Sequence, residues 1–213
     1  MTARLTLLFL LFSAPAWAEP LFFWQQTSVR YRLNLKWTLY GELQPRWRRD
    51  FKDEQALGAR VALFRDLSQS VKLGIGYGKL PTFLPRRTDE NRIYQQVDWA
   101  GKAEIWQFSG RFRMEERWIE RVRGVILRTR FRTSMNWMPS DLGAYVSQEL
   151  FLNLNHRERQ TVRGFDQYRM SMGPRYEANS WTLEAGYVGQ RARSFSRHSH
   201  WNHGILLNVG LSF

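Results

Sequence analysis

The chain has 213 residues, no cysteine, 15% aromatic residues and a formal charge of +13, with a mean hydropathy of −0.50. Beyond its first residues no apolar run comes near the 18 or so residues of a membrane helix, so a membrane-spanning form would have to be a closed sheet. The positive balance does not indicate nucleic acid, because no recognition motif accompanies it and the chain carries an export signal.

That signal is "MTARLTLLFLLFSAPAWA". It combines Arg4, an apolar run from Leu5 to Phe12, and the small-residue site Ala16-Trp17-Ala18. Residues 1–18 are therefore expected to be cleaved, leaving 19–213 as one domain, since no Gly/Ser/Pro-rich linker or repeat period divides it. Small exported domains often depend on disulfides. Their absence here points to another source of stability, and a sheet closed in lipid is one.

After a segment at Leu21–Arg30, period-two alternation recurs along the chain. Trp37, Leu39, Gly41, Leu43 and Trp47 oppose Lys36, Thr38, Tyr40, Glu42, Gln44, Arg46 and Arg48. "LGARVAL" sets Leu57, Ala59, Val61 and Leu63 against Arg60, and "VKLGIGYGK" sets Val71, Leu73, Ile75 and Tyr77 against Lys72 and three glycines. In "NRIYQQVDW" the polar face holds Arg92, Tyr94, Gln96 and Asp98, while Gln95 interrupts the apolar one. The stretch from Trp106 to Trp137 reads as a hairpin. A helix would scatter its arginines around the cylinder, whereas a strand collects Arg111, Arg113, Glu115 and Arg117 opposite Phe112, Met114 and Trp118. A two-residue turn at Arg121 and Val122 would place Arg113 opposite Arg130, Arg111 opposite Arg132 and Glu115 opposite Arg128. Like charges so opposed need acids from other strands, and Glu42, Asp98, Glu149 and Glu184 are the candidates. Further strands follow around Leu150, around Arg169 and Met170, from Trp181 to Tyr187, and finally in "HGILLNVGLSF". Connectors such as "DLSQ", "AGK", "MPSDLG" and "EANS" separate them.

Alternation alone is compatible with a soluble barrel that keeps its apolar face inside. Three features turn the apolar face outward. Trp37 and Trp47 bracket one strand and Trp106 and Trp118 another, each pair on one face. Ten to twelve tilted residues climb about 23–28 Å, which matches a membrane barrel's apolar band between aromatic girdles. Trp99, Trp137, Trp181 and Trp201 also fall near strand ends, and the last strand stops on Phe213, an end suited to recognition by an outer-membrane assembly machinery. The apolar face, finally, persists in every strand. The expectation is an all-β transmembrane antiparallel barrel of about 10–12 strands, an up-and-down meander, monomeric, in a Gram-negative-type outer membrane. An even count with a periplasmic start makes Leu21–Arg30 a plug, a periplasmic strand, or a sign of one further crossing.

Several segments, "FFW", "ENRIYQQ", "RFRMEER" followed by "LRTRFR", "SQELFLN", "FDQYRMSMG" and the apolar last strand, together resemble the uncharacterised outer-membrane barrel family called domain of unknown function 2490. The resemblance covers nearly the whole mature chain. It implies the barrel architecture and supplies neither an activity nor catalytic residues.

With the apolar face outward, the expected lumen carries Glu42, Arg60, Arg92, Arg111, Arg113, Glu115, Arg117, Arg128, Arg130, Arg132, Glu149, Arg169 and Glu184, a net positive set. Rings of arginine favour anionic solutes, so the first functional expectation is passage or binding of small anions. The alternative is a non-conducting barrel filled by its own Arg/Glu network. A lipid-modifying enzyme is a third class, with Ser194, Ser196, Ser199, His198 and His200 as its only candidates and no orienting third group. Those histidines with His203 lack the further ligands a metal site needs, so no metal or cofactor is expected. Arg157, Arg159, Arg163, Arg191, Arg193 and Arg197 fall in expected external loops, suited to lipopolysaccharide or to solvent.

Overall fold

The computed structural model describes residues 22–48, 53–83, 88–157, 162–193 and 200–213. Residues 1–18, the expected signal, and residues 194–199 lie outside them. Eleven strands follow in chain order. They are β1 (Phe22–Arg32), β2 (Trp37–Arg48), β3 (Asp53–Asp66), β4 (Val71–Thr82), β5 (Thr88–Ala103) and β6 (Trp106–Ile119). The series continues with β7 (Ile126–Trp137), β8 (Leu142–Asn153), β9 (Gly164–Ala178), β10 (Trp181–Ala192) and β11 (His200–Ser212). Each strand pairs antiparallel with its chain neighbours, and β1 closes the barrel against β11.

That closure is parallel, with Phe22 opposite Gly204 and Arg30 opposite Ser212. The even count and the plug or periplasmic role for the first segment are both corrected by it. β1 is a full wall strand whose two edges are paired with β2 and β11. An unpaired edge would leave a row of backbone groups unsatisfied, and the parallel ladder satisfies them at the price of strand parity. One end of the barrel carries connections of two to four residues, together with the C-terminal end of β11. We call it the turn end. The loop end carries connections of four to ten residues and the start of β1.

The β6–β7 hairpin holds the expected register, with Arg113 opposite Arg130 and Glu115 opposite Arg128. The two-residue turn is corrected: residues 120–125 form a longer loop, in which Arg121 (φ 67) and Gly124 (φ 85) take the left-handed conformation. "AGK" is also corrected, because β5 runs through it to Ala103 and turns at Glu104, φ 53.

Strand alternation sorts the barrel into two surfaces. Burial in β8 alternates from Tyr145 to Asn153, where Tyr145, Ser147, Glu149, Phe151 and Asn153 are buried. The outer wall exposes Leu43, Val61, Ile75, Phe112, Phe131, Val146 and Ile205. β4 shows why glycine recurs on a lumen face. Its Gly74, Gly76 and Gly78 leave space that Phe64, Tyr94 and Arg60 fill. A Cβ on Gly76 would lie 2.4 Å from Tyr94 Cζ and 2.7 Å from the Val61 carbonyl oxygen. Gly76→Val is therefore expected to lower stability by about 1–3 kcal/mol, read as a lower denaturant midpoint. Gly41→Val is expected to leave it near wild type, since a Cβ on that outward glycine meets nothing within 4 Å.

Candidate functional site

The lumen is built by the even-spaced polar residues of the strands, and the barrel's shear brings residues from several strands to one height. Nearest the loop end, Glu90 takes Arg92 Nε at 2.6 Å and Arg117 Nη2 at 3.1 Å. Below it, the fully buried Glu115 accepts from Arg128 Nη2 at 2.6 Å and from Arg130 Nη1 at 2.8 Å, with Arg113 Nη1 3.6 Å away. The like-charged pair Arg113 and Arg130 is thus held by an acid from Arg113's own strand. Glu149 takes Arg130 Nη2 at 2.6 Å and approaches Arg169 Nη1 at 3.5 Å. Glu42 takes Arg60 Nη1 at 2.5 Å and the Tyr40 hydroxyl.

Aromatic rings fill the space between these charges. Arg113 lies 4.1 Å over the Tyr94 ring, and Arg130 lies 4.6 Å over Phe151. Arg46 and Arg169 lie over Trp24 at 4.5 and 4.3 Å. Guanidinium faces stack on rings while their edges donate hydrogen bonds, so one arginine satisfies both kinds of neighbour. Tyr94, Gln96, Arg113, Glu115 and Phe151 are all at most 2% exposed and form a buried layer near mid-height.

Toward the turn end the filling stops. A cavity of about 340 Å³ reaches Gln69 and Ser70 at the rim. Arg30, Lys72, Arg111, Arg132 and Arg175 line it, against the carboxylates Asp98 and Glu184. Arg111 Nε donates to Asp98 Oδ1 at 2.7 Å, and Arg175 pairs with Glu184 and Glu177. Arg132 Nε donates to Ser147 Oγ at 3.0 Å, and among the described residues no carboxylate pairs with it. Hydroxyls and amides of Ser28, Thr38, Ser134, Asn136 and Asn208 complete the walls.

Glu42, Arg60, Arg92, Arg111, Arg113, Glu115, Arg117, Arg128, Arg130, Arg132, Glu149, Arg169 and Glu184 all sit in this interior, but in two groups. Arg111, Arg132 and Glu184 line the cavity, and the other ten belong to the plug above it. The side chain of Arg48 lies outside the described residues. Sequence reasoning missed Glu90, Arg175, Asp166, Trp24 and Phe151. Four of these continue the face of a recognised strand, or sit on the strand read as a plug. Asp166 is the extra residue where β9 slips against Phe151 and Leu152, and it pairs with Arg128 at 3.2 Å.

Outside, the tryptophans form two belts. Trp37, Trp99, Trp106, Trp137, Trp181 and Phe213 lie toward the turn end, and Trp47, Trp118 and Trp201 toward the loop end. Trp99 lies over Gly110, where a Cβ would fall 2.1 Å from its ring. Of the proposed serine and histidine nucleophile loop, Ser194, Ser196, His198 and Ser199 lie outside the described residues, as does the His200 side chain. His203 Nδ1 sits 2.6 Å from the Tyr187 hydroxyl on the outer wall. Arg157 Nε donates to the Val125 carbonyl at 3.1 Å, which ties the β8–β9 loop to the β6–β7 loop. Arg159 and Arg197 lie outside the described residues.

A closed all-β barrel, with no helix among the described residues and with buried Arg/Glu ion pairs in its interior, is the class these features define. The family described as protein of unknown function, DUF2490, matches residues 22–201, and the chain belongs to it. Searches of curated proteins and of solved structures find no match.

Proposed function

We propose that this is a monomeric outer-membrane barrel that binds small anionic solutes in the cavity at its turn end and does not conduct them through the mid-height plug. The observation that carries the reading is the cavity's lining of five cationic side chains against two carboxylates, with Arg132 turned into it beside a hydroxyl alone. Guanidinium edges bind carboxylate and phosphate, and the surrounding hydroxyls and amides suit a polyhydroxylated or carboxylated solute. Membrane placement is supported by the continuous apolar wall between two aromatic belts. On that reading the turn end faces the periplasm, Phe213 marks the strand offered to the assembly machinery, and Arg163 and Arg193 lie beside lipopolysaccharide. Binding is favoured by a lining that offers charge and hydrogen bonds to a solute.

Calorimetric titration of the refolded barrel with inorganic phosphate and with galacturonate tests it. Saturable binding is expected, weakened about 10- to 100-fold by Arg132→Gln, the loss of one charge-assisted hydrogen bond or more. Planar-bilayer recording of the same protein should give no steady current. Anion-selective current reduced by Arg113→Gln and Arg130→Gln would reinstate a pore, and a silent barrel that binds neither probe would leave a purely structural one.

A further inference from the structure

The plug contains three arginines without a carboxylate of their own. Arg46 donates to the Gln44 amide oxygen at 2.8 Å and makes no ion pair among the described residues. Arg113 donates Nε to Gln96 at 2.7 Å, and its Nη1 stops 3.6 Å from a Glu115 already taken by Arg128 and Arg130. Arg169 reaches only 3.5 Å from Glu149, which is taken by Arg130 at 2.6 Å. One nitrogen of each, Nε of Arg46, Nη1 of Arg113 and Nε of Arg169, is buried with no hydrogen-bond partner. Arg46 has no carboxylate and Arg113 and Arg169 share theirs at the long end of ion-pair range, and buried charge so poorly compensated is unfavourable enough to predict a counter-ion.

The space for it lies beside Arg169. A small cavity of about 50 Å³, bordering the larger one at Arg132, Gln26 and Asn208, is walled by Arg169, Gln44, Ser147, Ser171 and Trp24, with Glu149 at one side. A single water needs about 10–15 Å³ of such space, so a small ion with a water or two fits. The donors are two guanidiniums, two hydroxyls and the amides of Gln26, Gln44 and Asn208. Glu149 sets the valence, because a multiply charged oxyanion would face its carboxylate, whereas a monovalent ion is outweighed by the guanidiniums around it.

We propose that this cavity is a resident halide site, occupied by chloride in saline media, that neutralises the plug's excess guanidinium charge. The site abuts the larger cavity and shares Arg132 with it, but Arg169 and Ser171, on which its test turns, line the smaller cavity and not the larger, so it stands whether or not that cavity binds a solute.

The test uses the refolded wild-type barrel in detergent. Crystals grown or soaked in bromide should show an anomalous peak within hydrogen-bonding reach of Arg169 and Ser171. At equal ionic strength, sodium chloride should raise the urea midpoint relative to sodium gluconate. Arg169→Gln should abolish both the peak and the chloride-dependent shift, and Ser171→Val, which fills the cavity, should abolish the peak. An ordered water alone at this position, or a chloride-dependent shift that survives Arg169→Gln, would overturn the proposal. If Arg169→Gln does not refold, the wild-type bromide experiment decides by itself.

Discussion

Replacing Glu115 with Gln is expected to remove about 3–5 kcal/mol of folding stability, the largest effect of any single isosteric change in this barrel. Glu115 is fully buried and accepts hydrogen bonds from Arg128 Nη2 at 2.6 Å and Arg130 Nη1 at 2.8 Å. Gln keeps the shape and one acceptor, but it turns an NH₂ toward a guanidinium and leaves Arg128 to Asp166 alone and Arg130 to a Glu149 shared with Arg169. Arginines in the interior already share carboxylates, as Arg113 and Arg169 do, so the loss is the desolvation of under-compensated charge rather than the modest net worth of an ion pair. The contrast is Glu120→Gln. Its pair with Arg121, at 3.6 Å, is largely solvent-exposed, and its loss should fall within about 0.5 kcal/mol. Urea unfolding in lipid vesicles, followed by tryptophan fluorescence, measures both. If the plug is dry, Arg128→Met in the Glu115→Gln background should recover part of the loss, because it removes one under-compensated cation whose other partner, Asp166, is part-exposed. A Glu115→Gln barrel within about 1 kcal/mol of wild type would mean the network is hydrated and the plug is not a seal.

The facing of the strands was legible because lumen and wall differ so strongly in chemistry. In β6, Arg113 and Glu115 alternate with Phe112 and Met114, and no other regular structure keeps those sets apart. The β6–β7 register was legible despite the wrong turn length, because the ladder ends at Arg117 opposite Ile126 and the residues left unpaired across the hairpin, 118–125, have the same centre as the shorter turn. Closure was not legible. β1 and β11 are joined by no turn, so no local signal states that Phe22 lies beside Gly204 or that the ladder runs parallel. The division of the lumen into plug and cavity was equally hidden. It depends on which side chains from distant strands meet at one height, as when Arg130 of β7 reaches both Glu115 of β6 and Glu149 of β8. Strand by strand, all of these arginines looked alike. Their different roles arise from the carboxylates and rings that the shear brings beside each one.

Phe112→Arg supplies the sharpest test of which medium bathes the wall. Phe112 sits at the middle of β6 with its ring 43% exposed, between Val97 and Phe131 on the neighbouring strands. Against hydrocarbon, an arginine at that depth is expected to lower stability by about 2–4 kcal/mol, while Trp106→Arg, at the turn-end belt, should change it by about 0–1 kcal/mol. Against water, neither should matter, and the first would improve solubility by breaking an apolar patch. Vesicle unfolding of the two variants therefore reads out depth as well as medium, since only a bilayer makes the penalty depend on position along one strand. The argument gains force from the adjacent residue. Arg113 is tolerated at 2% exposure because Gln96 and Tyr94 receive it inside the barrel. One position along the chain, the same side chain would project from the opposite face, where a guanidinium at mid-bilayer finds neither partner nor water. If Phe112→Arg and Trp106→Arg prove equally mild in vesicles, the wall does not face lipid, and the outer-membrane reading fails with it.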